Sequence, residues 1–165
     1  MPYQPTSRPT ITFPPREWEL LVRLPGRVLV AATSSQPDSA RHTVAEGLAG
    51  IEAIAAGRTS PSQLVRDVVA AVYAEQLADD APTAEEFTDR QDGIDRVLAE
   101  CRAATRTLAA TATRTDADAY RRWLIDIAVT VCAAARTGGL FALGGERLSV
   151  PEARFLDALS RALTL

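Results

Sequence analysis

Between Tyr120 and Ala135, apolar residues recur at Tyr120, Trp123, Leu124, Ile127, Ala128, Val131, Ala134 and Ala135, with a second row at Ile125, Val129 and Cys132. This periodicity predicts a helix. Its narrow polar stripe runs through Arg122, Asp126 and Thr130, so the helix should be central in the fold.

The same rhythm recurs along the chain. Pro14-Pro15 suits a helix start and is followed by Trp18, Leu21, Val22 and Leu24, while Pro25-Gly26 predicts a kink or a split before the run from Val28 to Ala32. A helix from about Ser39 or Thr43 to Ala56 comes next, with Thr43-Val-Ala-Glu46 as its capping box. The row Gly47, Gly50 and Ile54 predicts close helix packing, because an interior glycine costs about 1 kcal/mol relative to alanine. Gly57 supplies the C-terminal stop.

Ser60-Pro61-Ser62-Gln63 opens a helix through Leu64, Val65, Val68, Val72 and Tyr73 that ends near Gln76. Thr83-Ala-Glu-Glu86 caps another through Phe87, Ile94, Val97, Leu98, Cys101, Leu108 and Ala112, with a break at Asp92-Gly93. The central helix starts at Thr115 or Asp116. After the glycine-framed loop from Gly138 to Gly145, Ser149-Val-Pro-Glu152 caps a closing helix.

Composition narrows this to an all-α fold. The 165 residues suit one domain, and a 47% hydrophobic content with 5% aromatic residues favours alanine-rich, closely packed helices. Residues 1 to 13, with Pro2, Pro5 and Pro9, read as a disordered or extended arm, and residues 14 to 165 as a single domain. All 18 basic residues are arginine, and the net charge of −3 gives no basic excess to attract nucleic acid. The opening segment lacks the pattern of a signal peptide. No apolar run reaches the roughly 20 residues that span a bilayer, so the expected location is cytoplasmic, with no transmembrane segment.

Chemistry is sparse. His42, the single histidine, reads as a surface loop residue and removes multi-histidine metal sites. Cys101 and Cys132 sit on apolar helical rows as core filler. No nucleophile and base pair can be assembled, so no enzymatic activity and no cofactor are expected. The acidic stretch Glu75, Asp79, Asp80, Glu85, Glu86, Asp89, Asp92 and Asp95 fails the spacing of a calcium-binding loop and suits a solvated helix start. The loop Gly138-Gly-Leu-Phe-Ala-Leu-Gly-Gly145 lacks the lysine and hydroxyl of a phosphate-binding loop. Its Leu140, Phe141 and Leu143 either tuck beneath the helices or stand out as an apolar knob for a protein partner, with Arg147 at the rim.

Val28-Leu-Val-Ala-Ala-Thr33 aligns with Val129-Thr-Val-Cys-Ala-Ala134, and Thr43-Val-Ala-Glu46 with Ser149-Val-Pro-Glu152. This echo suggests two related units of helix, loop and capped helix. With the tryptophan-led helix broken at Leu24-Pro25 and with Phe155-Leu156, the pattern over about residues 16–57 and 120–164 resembles the TerB-like family of tellurite-resistance proteins. The resemblance implies a compact bundle of about six to eight helices built from two pseudo-equivalent hairpins. It also implies a stress-linked or envelope-associated role through protein partners. A homo-oligomer is compatible with it. Some members are thought to bind divalent metal through acidic loops and helix starts, making a calcium-type cation regulator the alternative. Asp38, Glu46, Glu146 and Glu152 would be the ligands if the two hairpins pair about a pseudo-twofold axis. The acidic loop of the family is reduced here to Thr33-Ser-Ser-Gln-Pro-Asp38, with one carboxylate.

Overall fold

The computed structural model describes residues 12–35, 40–77, 89–137 and 148–164. Among them are six α-helices: α1 (Pro15–Ser34), α2 (Ala40–Ala56), α3 (Gln63–Leu77), α4 (Arg90–Thr111), α5 (Arg114–Thr137) and α6 (Val150–Ala162), with one 3-10 turn at Gly57–Thr59. The all-α expectation is met, at the lower end of the expected helix number. None of these helices is long and apolar enough to cross a membrane.

Helix α1 begins where its prolines predict. Pro14 occupies the cap position and its carbonyl accepts from the Trp18 amide at 2.9 Å. Phe13, just outside the helix, is buried and stacks on Trp18 with ring centroids 6.2 Å apart. This is a hydrophobic staple, fixing the angle at which the chain enters the helix. The arm expected over residues 1 to 13 is therefore docked at its last residue, while residues 1 to 11 lie outside the described set.

Pro25 does not split α1, which runs continuously across it with Leu21, Leu24, Val28 and Ala31 fully buried. Proline has no N–H, so the Leu21 carbonyl one turn earlier lacks its usual intrahelical donor. The Tyr120 hydroxyl supplies one, donating to the Leu21 oxygen at 2.7 Å from a fully buried ring on α5. Two residues beyond the proline, Arg27 forms an ion pair with Glu100 of α4.

Helix α2 lies antiparallel on α5. A Cβ built at Gly50 would stand 2.5 Å from Leu29 Cδ1 of α1 and 3.0 Å from Val131 Cγ2 of α5. One built at Gly57 would stand 2.7 Å from Val69 Cγ2 and 2.9 Å from the Trp123 ring. The close packing expected of the glycine row thus occurs at Gly50, with Ile54 buried beside it. At Gly47 it does not: a Cβ there would meet nothing within 4 Å. Gly57 ends α2 as expected, but for a different reason, since its backbone is not in the left-handed region and the need is for space beneath Val69 and Trp123.

Helix starts are where sequence and structure differ most. Ser149 and Glu152 form the reciprocal capping box, with the Glu152 carboxylate accepting from the Ser149 amide at 2.9 Å. At α2 the helix instead starts at Ala40. Thr43 and Glu46 are therefore inside it and not at cap positions, and His42 is helical rather than in a loop. In α4 the signal at Asp92-Gly93 marks the first turn and not a break, since the Asp89 side chain caps the helix by accepting from the Asp92 amide. The expected Thr83 cap lies outside the described residues. Helix α5 starts at Arg114, earlier than expected. Thr113 Oγ1 accepts from the Asp116 amide at 3.1 Å, and Asp116 accepts from both Thr113 Oγ1 and Ser62 Oγ, at 2.8 and 2.7 Å. Ser62 Oγ also accepts from the Val65 amide, so one carboxylate ties the starts of α3 and α5 together.

The remaining helices close the core. Helix α4 packs on α1 and α6, and Thr105 of α4 donates to the Ala162 carbonyl in the last turn of α6 at 3.3 Å. Helix α5 contacts each of the other five helices, consistent with its nearly all-round apolar surface.

Replacing Tyr120 by Phe should destabilise the fold by about 1–3 kcal/mol, because it strands the buried Leu21 carbonyl. In a Pro25→Ala background, which restores the intrahelical N–H, the same change should cost less by about 1 kcal/mol. Urea titration of the double-mutant cycle measures this coupling; strictly additive effects would refute the assignment.

Candidate functional site

The candidate residues divide between those the structure describes and those it does not. Leu140, Phe141, Leu143 and Arg147, the expected protein-contacting knob, lie outside the described residues, as do Asp38 and Glu146 of the expected metal set. Glu46 and Glu152 are described, and each is nearly inaccessible, at 4% and 2% exposure. The Glu152 carboxylate is engaged by the Ser149 amide. Among the described residues, no group of three or more His, Cys, Asp or Glu side chains is placed to hold a metal ion.

The nucleophiles are sequestered. Cys101 and Cys132 are thiols buried in the core and not joined in a disulfide. Burial pushes the Cys101 thiol up from its ordinary 9.0 to about 12, with the Glu100 charge adding to the effect and Arg102 opposing it. The Tyr120 hydroxyl is held well above its ordinary 10.0, again chiefly by burial, with Cys101 contributing. It stays protonated and serves as the donor to Leu21. Neither group is poised for covalent or acid–base chemistry at neutral pH.

One concavity of about 310 Å³ lies between the end of α2, the 3-10 turn and α5. Trp123 forms part of its floor, its indole N–H donating to the Ala53 carbonyl at 3.2 Å. Arg122, Asp126 and Thr130, the polar stripe of α5, line one wall. It is an open groove, and its polar groups follow one helix face instead of converging on a point, which is not the arrangement of a small-molecule site.

The more distinctive feature is on the outer face of α2. Val44, Leu48 and Ile51 are 65%, 60% and 51% exposed, and the half-buried Ala55 continues the row. Their separations of four, three and four residues are those of a coiled-coil seam. Helix α2 is therefore apolar on two faces, one inside the core through Gly50 and Ile54 and one facing outward. The sequence carries this second apolar row beside the glycine row that marks the packing face. A smaller exposed apolar patch, Leu148 and Val150, borders the start of α6. Comparison of the chain with protein-family models, with curated proteins and with solved structures finds no match.

Two measurements follow from this environment. Gly57→Ala should destabilise the fold by about 1–3 kcal/mol through overpacking against Val69 and Trp123, whereas Gly26→Ala, whose Cβ meets nothing within 4 Å, should be neutral or stabilising. Thermal melts of the two variants distinguish them. Because Cys101 and Tyr120 both have raised values in the fold, the stability they contribute is full below their ordinary values of 9.0 and 10.0 and is lost as pH rises above them. Urea midpoints should fall steadily above about pH 9, and the decline attributable to Tyr120 should vanish in Tyr120→Phe.

Proposed function

We propose that this chain is a non-enzymatic helical interaction domain, acting in the cytoplasm through protein partners in a stress-response or envelope-associated system. The setting follows the resemblance to TerB-like tellurite-resistance proteins, with α1–α2 and α5–α6 as the two related hairpins. The observation that carries the interaction reading is the exposed row Val44, Leu48 and Ile51. Large apolar side chains aligned along about two helical turns leave water only when a second surface covers them. Scattered single exposures carry no such meaning, and here the three are in register. Because α2 is held on the body of the domain by the Gly50 and Gly57 contacts, the row is presented on a rigid support, which lowers the ordering cost of binding.

The loop from Gly138 to Gly145 is the second contact surface in this proposal, with Phe141 as its anchor. The test uses the whole chain as bait in affinity capture, comparing wild type, the double variant Leu48→Glu with Ile51→Glu, and Phe141→Asp. The α2 variant should keep its melting temperature, since exposed substitutions change stability by only about 0.5 kcal/mol, and should lose its partners. Unchanged capture by both variants, with fold intact, would sink the interaction reading.

A further inference from the structure

We propose that the outward face of α5 pairs with the same face of a second copy of this chain, the two helices lying antiparallel about a twofold axis level with Leu124. This goes beyond the interaction reading above and does not depend on the apolar row of α2.

Thr115, Ala119, Arg122, Asp126, Val129 and Ala133 follow one another at separations of four, three, four, three and four residues, the spacing of a coiled-coil seam. Each is exposed or half-buried, and Val129 leaves 45% of its surface open. The opposite side of α5 is taken by the core through Tyr120, Leu124, Ile127 and Val131.

Charge on α5 divides in the same way. Asp116 accepts from Ser62 and Thr113, and Asp118 pairs with Arg114 and Arg121. Arg122 and Asp126 join no ion pair among the described residues. They stand one turn apart on one face, but with the cation N-terminal to the anion, the less favourable order for pairing within a helix. Two adjacent opposite charges without partners in their own fold suit a surface that meets its own copy.

In an antiparallel pair, seam positions equally far from the twofold axis on opposite sides face each other. Arg122 and Asp126 lie two residues to either side of Leu124, about 3 Å along the helix, so Arg122 of each chain faces Asp126 of the other. Ala119 and Val129, five residues out, face each other, and so do Thr115 and Ala133, nine residues out. No seam residue lies on the axis, so none is set opposite itself. Each layer joins unlike partners, cation with anion and small with large, and each occurs twice, as an isologous interface requires. A parallel in-register pair would instead set Arg122 against Arg122, Asp126 against Asp126, and align the helix dipoles.

The groove of about 310 Å³ runs along this seam, and its α2 side is edged by Ala53 and Ala56. Those small side chains leave room for a second helix, and polar groups that follow a helix face suit a helix as occupant. A seam of this length covers on the order of a few hundred Å² per copy, the scale of a functional surface patch and below that of a permanent dimer. Exposed ion pairs add little. The association is accordingly reversible and concentration-dependent.

Sedimentation of the full chain from micromolar to near-millimolar concentration should show the mass rising from 17.7 kDa toward twice that value. Arg122→Asp and Asp126→Arg should each weaken association roughly tenfold or more, with unchanged circular dichroism spectra. An equimolar mixture of the two single variants should associate as well as wild type or better, and a chain carrying both reversals should recover self-association. Register is read by cross-linking: under mild oxidation Ala119→Cys should form a disulfide-linked dimer efficiently only when mixed with Val129→Cys. Leu48→Glu should leave the dimer intact. A chain that stays monomeric throughout, a dimer indifferent to the single reversals, or a mixture of them that fails to associate overturns the pairing. A dimer lost in Leu48→Glu but kept in both reversals puts the contact on α2 and overturns it equally, while leaving the interaction reading in place.

Discussion

The contact between the Tyr120 hydroxyl and the Leu21 carbonyl resolves a conflict built into the sequence. A proline in the middle of a long helix removes one N–H and strands a carbonyl one turn back, at a depth where water is excluded. Left alone, that carbonyl would favour a break in α1. The hydroxyl comes from the helix with the broadest contacts in the fold, so satisfying α1 also fixes its height and rotation on α5. The high pKa that burial gives Tyr120 is the same fact seen from the other side: the group is retained as a donor, and its apolar surroundings ensure that it remains one.

The second constraint is the close approach of α2 to α5. Glycine at positions 50 and 57 brings the α2 backbone against Leu29, Val131, Val69 and Trp123, and the Trp123 indole N–H then reaches the Ala53 carbonyl. Bulk is supplied by α1, α3 and α5, and α2 contributes a thin edge. Apart from Ile54, the large apolar side chains of α2 among the described residues stand on its far side, at Val44, Leu48 and Ile51. The intimacy of the internal packing and the outward display are two consequences of one residue distribution.

The apolar rhythm made the helices legible because each is long enough for its period to be unambiguous, and α5 was readable even to its polar stripe, which became one wall of the groove. Local chemistry was read correctly where a single answer existed, as in Ser149 and Glu152 with proline between them. It misled where two starts competed. Thr43 and Glu46 have the spacing of a cap, yet the helix already runs from Ala40, and Glu46 is buried instead. Asp92-Gly93 suggested a break, but Asp89 caps the helix ahead of it. Pro25 suggested a kink or a split, and α1 is not split; the donor that serves its orphaned carbonyl is 99 residues away, a relation that no local pattern contains. The candidate site was harder. The periodicity of α2 showed apolar residues, and only the packing shows which of its two apolar faces the core has already taken.

The fold also explains why chemistry is so hard to find in this chain. Its buried and half-buried polar groups are largely committed to holding the fold together: Asp116 to two helix starts, Glu152 to a cap, Arg27 and Glu100 to each other, Thr105 to the end of α6, Tyr120 and the Trp123 indole to backbone carbonyls. A carboxylate already accepting from two hydroxyls and a tyrosine already donating are poor candidates for catalysis, because recruiting them would release the very contacts that position them. The exposed, wholly apolar feature with a periodicity of its own among the described residues is the row Val44, Leu48 and Ile51 on α2. Apolar area is recognised by shape and by exclusion of water, so the activity such a surface can support is association.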